Sequence, residues 1–279
     1  MKNVLPHLGG WLLLLLLDAH PAASQSIAGS MFFVGSANKS IVIAADGLVT
    51  HNGLPTGKND KLIPLVNTEG ACFIGGRSVI DSVTGSIDKV DLDKTVRNWI
   101  KENPKANPFS AHETIDATLL GLMRASQRKH PDWYPTQPEE FSYFVCVGYY
   151  MGLQEVYVTL YRSTTTEITS TLDHPVISPG HFRTFGWSRV CAEITGGKTT
   201  KQLEKFESDP TIGKYKRAIA SKSSSTITEA DLLTISRVCL EATESPEGRE
   251  VEPQAREVGQ PNRYAVIGIR NGFRWVHTP

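Results

Sequence analysis

The chain lacks a charge excess of either sign. Its 279 residues carry 29 Lys and Arg against 29 Asp and Glu, a net charge of zero. A nucleic-acid binder needs a basic surface to displace counterions from phosphate, and anionic lipid demands a polybasic patch. Neither is present. Cysteine is scarce too: Cys72, Cys146, Cys191 and Cys239 lie too far apart for a C-x₂₋₄-C zinc motif. The eight histidines include no H-E-x-x-H pair, so no metal site is expected. Internal repeats and low-complexity tracts are missing. With 40% hydrophobic and 21% charged residues, the composition excludes wholesale disorder.

Long apolar runs are missing with one exception, the six leucines Leu12 to Leu17. Together with the residues just before them they span about 15 Å as a helix, half of a ~30 Å hydrocarbon core. That is too short for a membrane anchor. Lys2 precedes the run and Pro21-Ala22-Ala23-Ser24 follows it, the pattern of a secretory signal peptide over residues 1–24. Ser26-Ile27-Ala28-Gly29 also permits cleavage, so processing up to residue 29 stays open. The expected location is extracellular or periplasmic, where disulfides form. Each cysteine sits in an apolar stretch, which favours core thiols. If one pair is bridged it should be Cys191–Cys239, because both follow Ser-Arg-Val in expected helices.

Strands are expected at 31–36, 40–45, 61–66 and 71–74, then helices with the faces Leu92/Val96/Trp99/Ile100 and Ile115/Leu119/Leu122/Met123. Strands return at 141–149 and 155–161, with a further pair near 165–172 and 181–185. Helices follow at 187–206 and 229–243, and strands at 263–269 and 273–277 close the chain. Polar segments 129–140, 207–227 and 244–262 read as loops. Runs of strands between helix pairs point to an α+β fold, two antiparallel sheets sandwiched by helices, in one domain over residues 30–279.

Three motif fragments carry little. Gly196-Gly197-Lys198-Thr199 ends like a phosphate loop, but Ala192 stands where the first glycine is required. Gly186-Trp187-Ser188-Arg189-Val190 lacks the second glycine of a nucleophile elbow. Asn38-Lys39-Ser40 is an N-glycosylation sequon, meaningful only in a source that glycosylates secreted proteins.

The informative constellation is Ser30 after Gly29, Asp46 at the end of the second strand, Lys61 at the start of the third, and Gly75-Gly76 closing the fourth. Here the sequence resembles the proteasome β-type N-terminal nucleophile hydrolases, most closely the bacterial proteasome-like peptidases. The segment from Ile41 to Thr50, IVIAADGLVT, carries the resemblance, with Val258-Gly259-Gln260-Pro261 and Ala265-Val266-Ile267 near the C-terminus. The resemblance implies a four-layer αββα sandwich and an amidase whose nucleophile is freed by cleavage before Ser30. Ser30 would serve as nucleophile and, through its α-amine, as base. Lys61 and Asp46 would tune that amine, and the Gly75 N–H would stabilise the oxyanion. Val49 and Thr50 would line the substrate strand, while Phe73 and Arg77 wall the pocket.

Several positions depart from the family pattern. Serine replaces threonine as the nucleophile, and the Ser30–Lys61 spacing is one residue short. Gly186 aligns with a supporting serine, for which Ser188 is the nearest substitute. Ala255 and Val258 align with a supporting Asp and Ser, for which Glu257 or Glu252 could stand in. The substrate expected is a peptide or small amide, with no cofactor. Ring assembly of identical copies is allowed, but no ATP-dependent unfoldase is expected outside the cytoplasm. The rival expectation is a catalytically degenerate homologue with a binding or assembly role.

Overall fold

Every residue from Met31 to Ala37 is buried, so this strand needs cover on both faces. The computed structural model supplies it with a second sheet on one side and helices on the other. It describes residues 30–276 apart from 52–53, 59, 78, 81–89, 133, 135–139, 165 and 197–198. The expected signal peptide lies outside the described residues.

The first sheet contains β1 (Met31–Ala37), β2 (Ser40–Ala45), β12 (Phe182–Gly186), β13 (Arg263–Gly268) and β14 (Gly272–Val276), in the order β12-β1-β2-β13-β14. The second contains β5 (Leu62–Pro64), β6 (Gly70–Gly76), β9 (Glu140–Tyr150), β10 (Leu153–Ser163) and β11 (Ile168–Asp173), in the order β11-β10-β9-β6-β5. All neighbours are antiparallel. Two short hairpins, β3 (Leu48–His51) with β4 (Leu54–Lys58) and β7 (Val79–Ile80) with β8 (Val90–Asp91), had no counterpart among the expected strands.

Three apolar layers bind the sheets and helices. Between the sheets, Phe32, Val34, Ile41 and Ile43 meet Phe73, Tyr143, Val145 and Val147, with Phe32 stacked on Phe73 at 4.5 Å. Alternate residues of the same strands face outward. Met31, Phe33, Val42 and Ala44 pack on α3 (Arg189–Gly196), α5 (Pro210–Ala220) and α6 (Glu229–Glu244). Cys72, Phe144 and Cys146 pack beneath α1 (Leu92–Glu102) and α2 (Pro108–Lys129).

The expected helix over 187–206 stops at Gly196 and resumes as a 3₁₀ turn and the four-residue α4 (Glu204–Glu207). Segments 207–227 and 244–262 contain α5 and α7 (Pro246–Val251), where loops were expected. Each starts with a capping side chain followed by proline, Asp209-Pro210 and Ser245-Pro246, a pairing preorganised for a first helical turn.

Both cysteine pairs are bridged, which corrects the expectation of core thiols and matches the favoured Cys191–Cys239 pair. Cys72–Cys146 forms because β6 and β9 set the two residues opposite each other. The bridges close sequence separations of 74 and 48 residues. Loop-closure entropy makes each worth about 4 kcal/mol as an upper bound, with about 2–4 kcal/mol typical. Unreduced protein in denaturant should therefore expose no reactive thiol, and reduction should expose all four. The Cys191→Ala/Cys239→Ala variant should lose about 2–4 kcal/mol in urea unfolding.

His112 on α2 is buried against Thr159, Nε2 to Oγ1 3.0 Å, and burial lowers its pKa from 6.5 to about 4. Between those values the unfolded chain binds the extra proton. Its contribution, about 3 kcal/mol, is complete above about pH 6.5 and is lost as pH falls through about 4. Urea titrations from pH 7 to 4 should show this acid limb in the parent and a flatter one in His112→Gln.

Candidate functional site

Ser30, Asp46, Lys61 and Gly76 come together because β1 begins, β2 ends, β5 begins and β6 ends at the same end of the sandwich. Ser30 precedes β1 and Asp46 follows β2 on the first sheet, whereas Lys61 precedes β5 on the second. All three side chains are buried. Lys61 Nζ donates to Ser30 Oγ at 2.8 Å and to Asp46 Oδ2 at 2.7 Å. The Met31 N–H donates to Asp46 Oδ1 at 2.8 Å, and the Gly259 N–H supports the same carboxylate. Burial pushes the Asp46 carboxyl upward, opposed first by the Lys61 charge and its hydrogen bond. The surrounding donors favour a carboxylate facing a lysine cation.

The Ser30 carbonyl is held as well, by the Trp187 N–H at 3.1 Å and by the Tyr143 hydroxyl at 3.5 Å. Gly186 has φ +78°, and a Cβ there would stand 1.9 Å from that carbonyl oxygen. The position aligned with a supporting serine therefore has no room for a side chain. Behind Asp46, the Gly259 carbonyl accepts the Gly47 and Leu48 N–H groups at 3.1 and 3.0 Å. Glu244 on α6 fixes the following turn, accepting from Gln260 Nε2 at 3.2 Å and Asn262 Nδ2 at 2.6 Å.

The Gly75 N–H, expected from sequence to stabilise an oxyanion, points away from Lys61. The Ser142 hydroxyl donates to the Gly75 carbonyl at 3.1 Å, so that carbonyl points toward β9. In a trans peptide N–H and C=O point opposite ways. The N–H of Gly76 therefore faces the β5 edge, where Lys61 lies. The Gly75 N–H turns toward β9, since ladder bonds alternate and the Tyr149 N–H donates to the carbonyl of Glu69, six positions earlier and just before β6. Gly76 has φ +73°, a conformation that glycine adopts without strain.

The remaining expected residues divide. Phe73 is fully buried between the sheets, stacked on Phe32, and walls no pocket: it shares a strand face with Ala71. Arg77 is half-buried just beyond β6, and its N–H donates to the Phe141 carbonyl at 2.8 Å. Val49 and Thr50 lie on β3 and Glu257 ends a 3₁₀ turn, their side chains outside the described residues. Ser188 is half-buried, and its carbonyl accepts the Ala192 N–H at 3.0 Å in the first turn of α3. Glu252 is buried and accepts the Arg189 and Val190 N–H groups, which places it at the start of α3 and not behind Asp46. Ala255 and Val258 are apolar core.

Tyr143 and Glu244 were not found from sequence, and Gly186 was found only as the position aligned with a supporting serine. Tyr143 and Glu244 sit inside a strand and a helix, where nothing but tertiary contact distinguishes them from neighbours. Among the described residues no group of three His, Cys, Asp or Glu could hold a metal ion, and no helix is long and apolar enough to cross a membrane. No family model matches the chain, and neither does any curated protein.

Removing one partner of a buried ion pair leaves an uncompensated charge, at a cost of about 3–5 kcal/mol. Lys61→Met alone should lose about that much stability. The double variant Asp46→Asn/Lys61→Met should recover most of it in urea unfolding.

Proposed function

We propose that the chain is an exported N-terminal nucleophile hydrolase of the proteasome β-type, with the four-layer αββα fold of that family, cleaving peptide or small amide bonds. The single observation that carries this reading is the Lys61 ammonium bridging Ser30 Oγ and Asp46. The two disulfides support an oxidising compartment.

Lys61 is poorly placed as the base, because its Nζ already donates to the serine oxygen and to Asp46. Cleavage before Ser30 frees an α-amine with an ordinary pKa of about 7.7–8.0, and the nearby cation lowers it further. That amine takes the hydroxyl proton as Ser30 Oγ bonds to the scissile carbonyl carbon. The Gly76 N–H, facing the Lys61 side, stabilises the oxyanion. The C–N bond then breaks, and the leaving amine takes the proton from the Ser30 ammonium. Water, deprotonated by the same amine, attacks the acyl ester and releases the acid, restoring the hydroxyl.

Edman sequencing of the exported protein should begin at Ser30, and Ser30→Ala should abolish hydrolysis of a peptide-amide panel while leaving the fold intact. A start near Gln25 with no hydrolysis would sink this reading in favour of a binding or assembly role.

A further inference from the structure

The nucleophile and its activating lysine sit on different sheets, so their separation depends on what fills the gap between them. Sheets packed face to face lie about 10 Å apart, and a shift of an ångström costs a catalytic constellation much of its rate. Tyr143 occupies that gap beside Ser30. It rises from β9 opposite Gly75, fully buried, with its ring 5.5 Å from that of Phe73.

Two glycines make room for it. At Gly75 a Cβ would stand 2.2 Å from the Tyr143 Cζ and 2.5 Å from its oxygen. At Gly186 a Cβ would stand 2.8 Å from the same oxygen. The phenol thus touches the end of β6, the end of β12 and, through its hydroxyl, the Ser30 carbonyl at 3.5 Å. Burial, with the Asp46 charge as a second cause, keeps it far from ionising, so it acts as a neutral spacer. A hydrogen bond of that length is weak; the ring contributes more than the hydroxyl.

We propose that Tyr143 is a positioning residue that holds Ser30, on one sheet, in register with Lys61, on the other. The inference rests on the hydrolase reading for its kinetic consequence, but its structural content stands apart from it.

The test compares Tyr143→Phe and Tyr143→Leu with Phe144→Leu, the next residue of β9, which is buried on the opposite face beneath the helices. Both leucine variants empty core volume, so both lose stability. Per folded molecule, Tyr143→Leu should lower kcat about tenfold or more with KM unchanged, whereas Tyr143→Phe stays within about threefold of the parent and Phe144→Leu matches it. Equal kcat in the two leucine variants would overturn the proposal. If the parent shows no hydrolysis that depends on Ser30, the hydrolase reading fails and amide hydrogen exchange decides. The Trp187 N–H, bound to the Ser30 carbonyl, should then exchange faster in Tyr143→Leu than in Phe144→Leu. Equal protection there would overturn the positioning role.

Discussion

At the site end the largely apolar interface between the sheets is crossed by a buried ion pair, Lys61 against Asp46. Beside it lie the Lys61 bond to Ser30, the Tyr143 bond to the Ser30 carbonyl and the more exposed Arg263–Asp60 pair. Burying two charges costs several kcal/mol per ion, and their attraction offsets this only when further hydrogen bonds satisfy the remaining atoms. Those bonds come from fixed pieces of backbone. The Met31 N–H opens β1, and the Gly259 N–H precedes β13. A shift of one sheet against the other by a fraction of a strand spacing would leave a buried charge with too few partners. The pair therefore ties the relative placement of the sheets, which hydrophobic packing alone leaves looser.

The same requirement explains where side chains are missing. Backbone from three segments crowds around Ser30, and Gly186 and Gly75 lie where any Cβ would overlap the serine carbonyl or the Tyr143 ring. On the Asp46 side, Glu244 ties Gln260 and Asn262 to α6, so the turn that presents the Gly259 N–H is anchored to a buried helix. The constraint thus runs outward from the ion pair into the helical layer.

The ion pair and its serine were legible because Asp46 ends an apolar strand and Lys61 begins another, positions that a linear pattern reveals. The sandwich was legible for the same reason, since strand runs alternate with helix runs. Three features were not. The direction of the Gly75 and Gly76 N–H groups depends on ladder parity, which requires knowing that β9 pairs with β6. The Cys72–Cys146 bridge needs the same register. Tyr143 contacts a residue 113 positions away, beyond any local pattern. Phe73 was readable and misread: period-two alternation puts it on the face of Ala71, toward the other sheet. The starts of α5 and α7 were readable as well, from Asp-Pro and Ser-Pro, but their short polar faces gave a weak helical period.

Chain ends ordinarily fray, because a terminal residue is held from one side only. On the proposed reading the catalytic residue becomes such an end, and yet its geometry must hold to within about 0.5 Å. The contacts around Ser30 meet that demand on the C-terminal side of its Cα. Its carbonyl is held by the Trp187 N–H, the following N–H is held by Asp46, and its hydroxyl oxygen is held by Lys61. None of these three depends on the peptide bond before residue 30. Cleavage there would remove the preceding carbonyl and release an amine while leaving the groups that fix the serine in place. Asp46 then does two things at once, orienting the cation that activates the nucleophile and anchoring the strand that carries it.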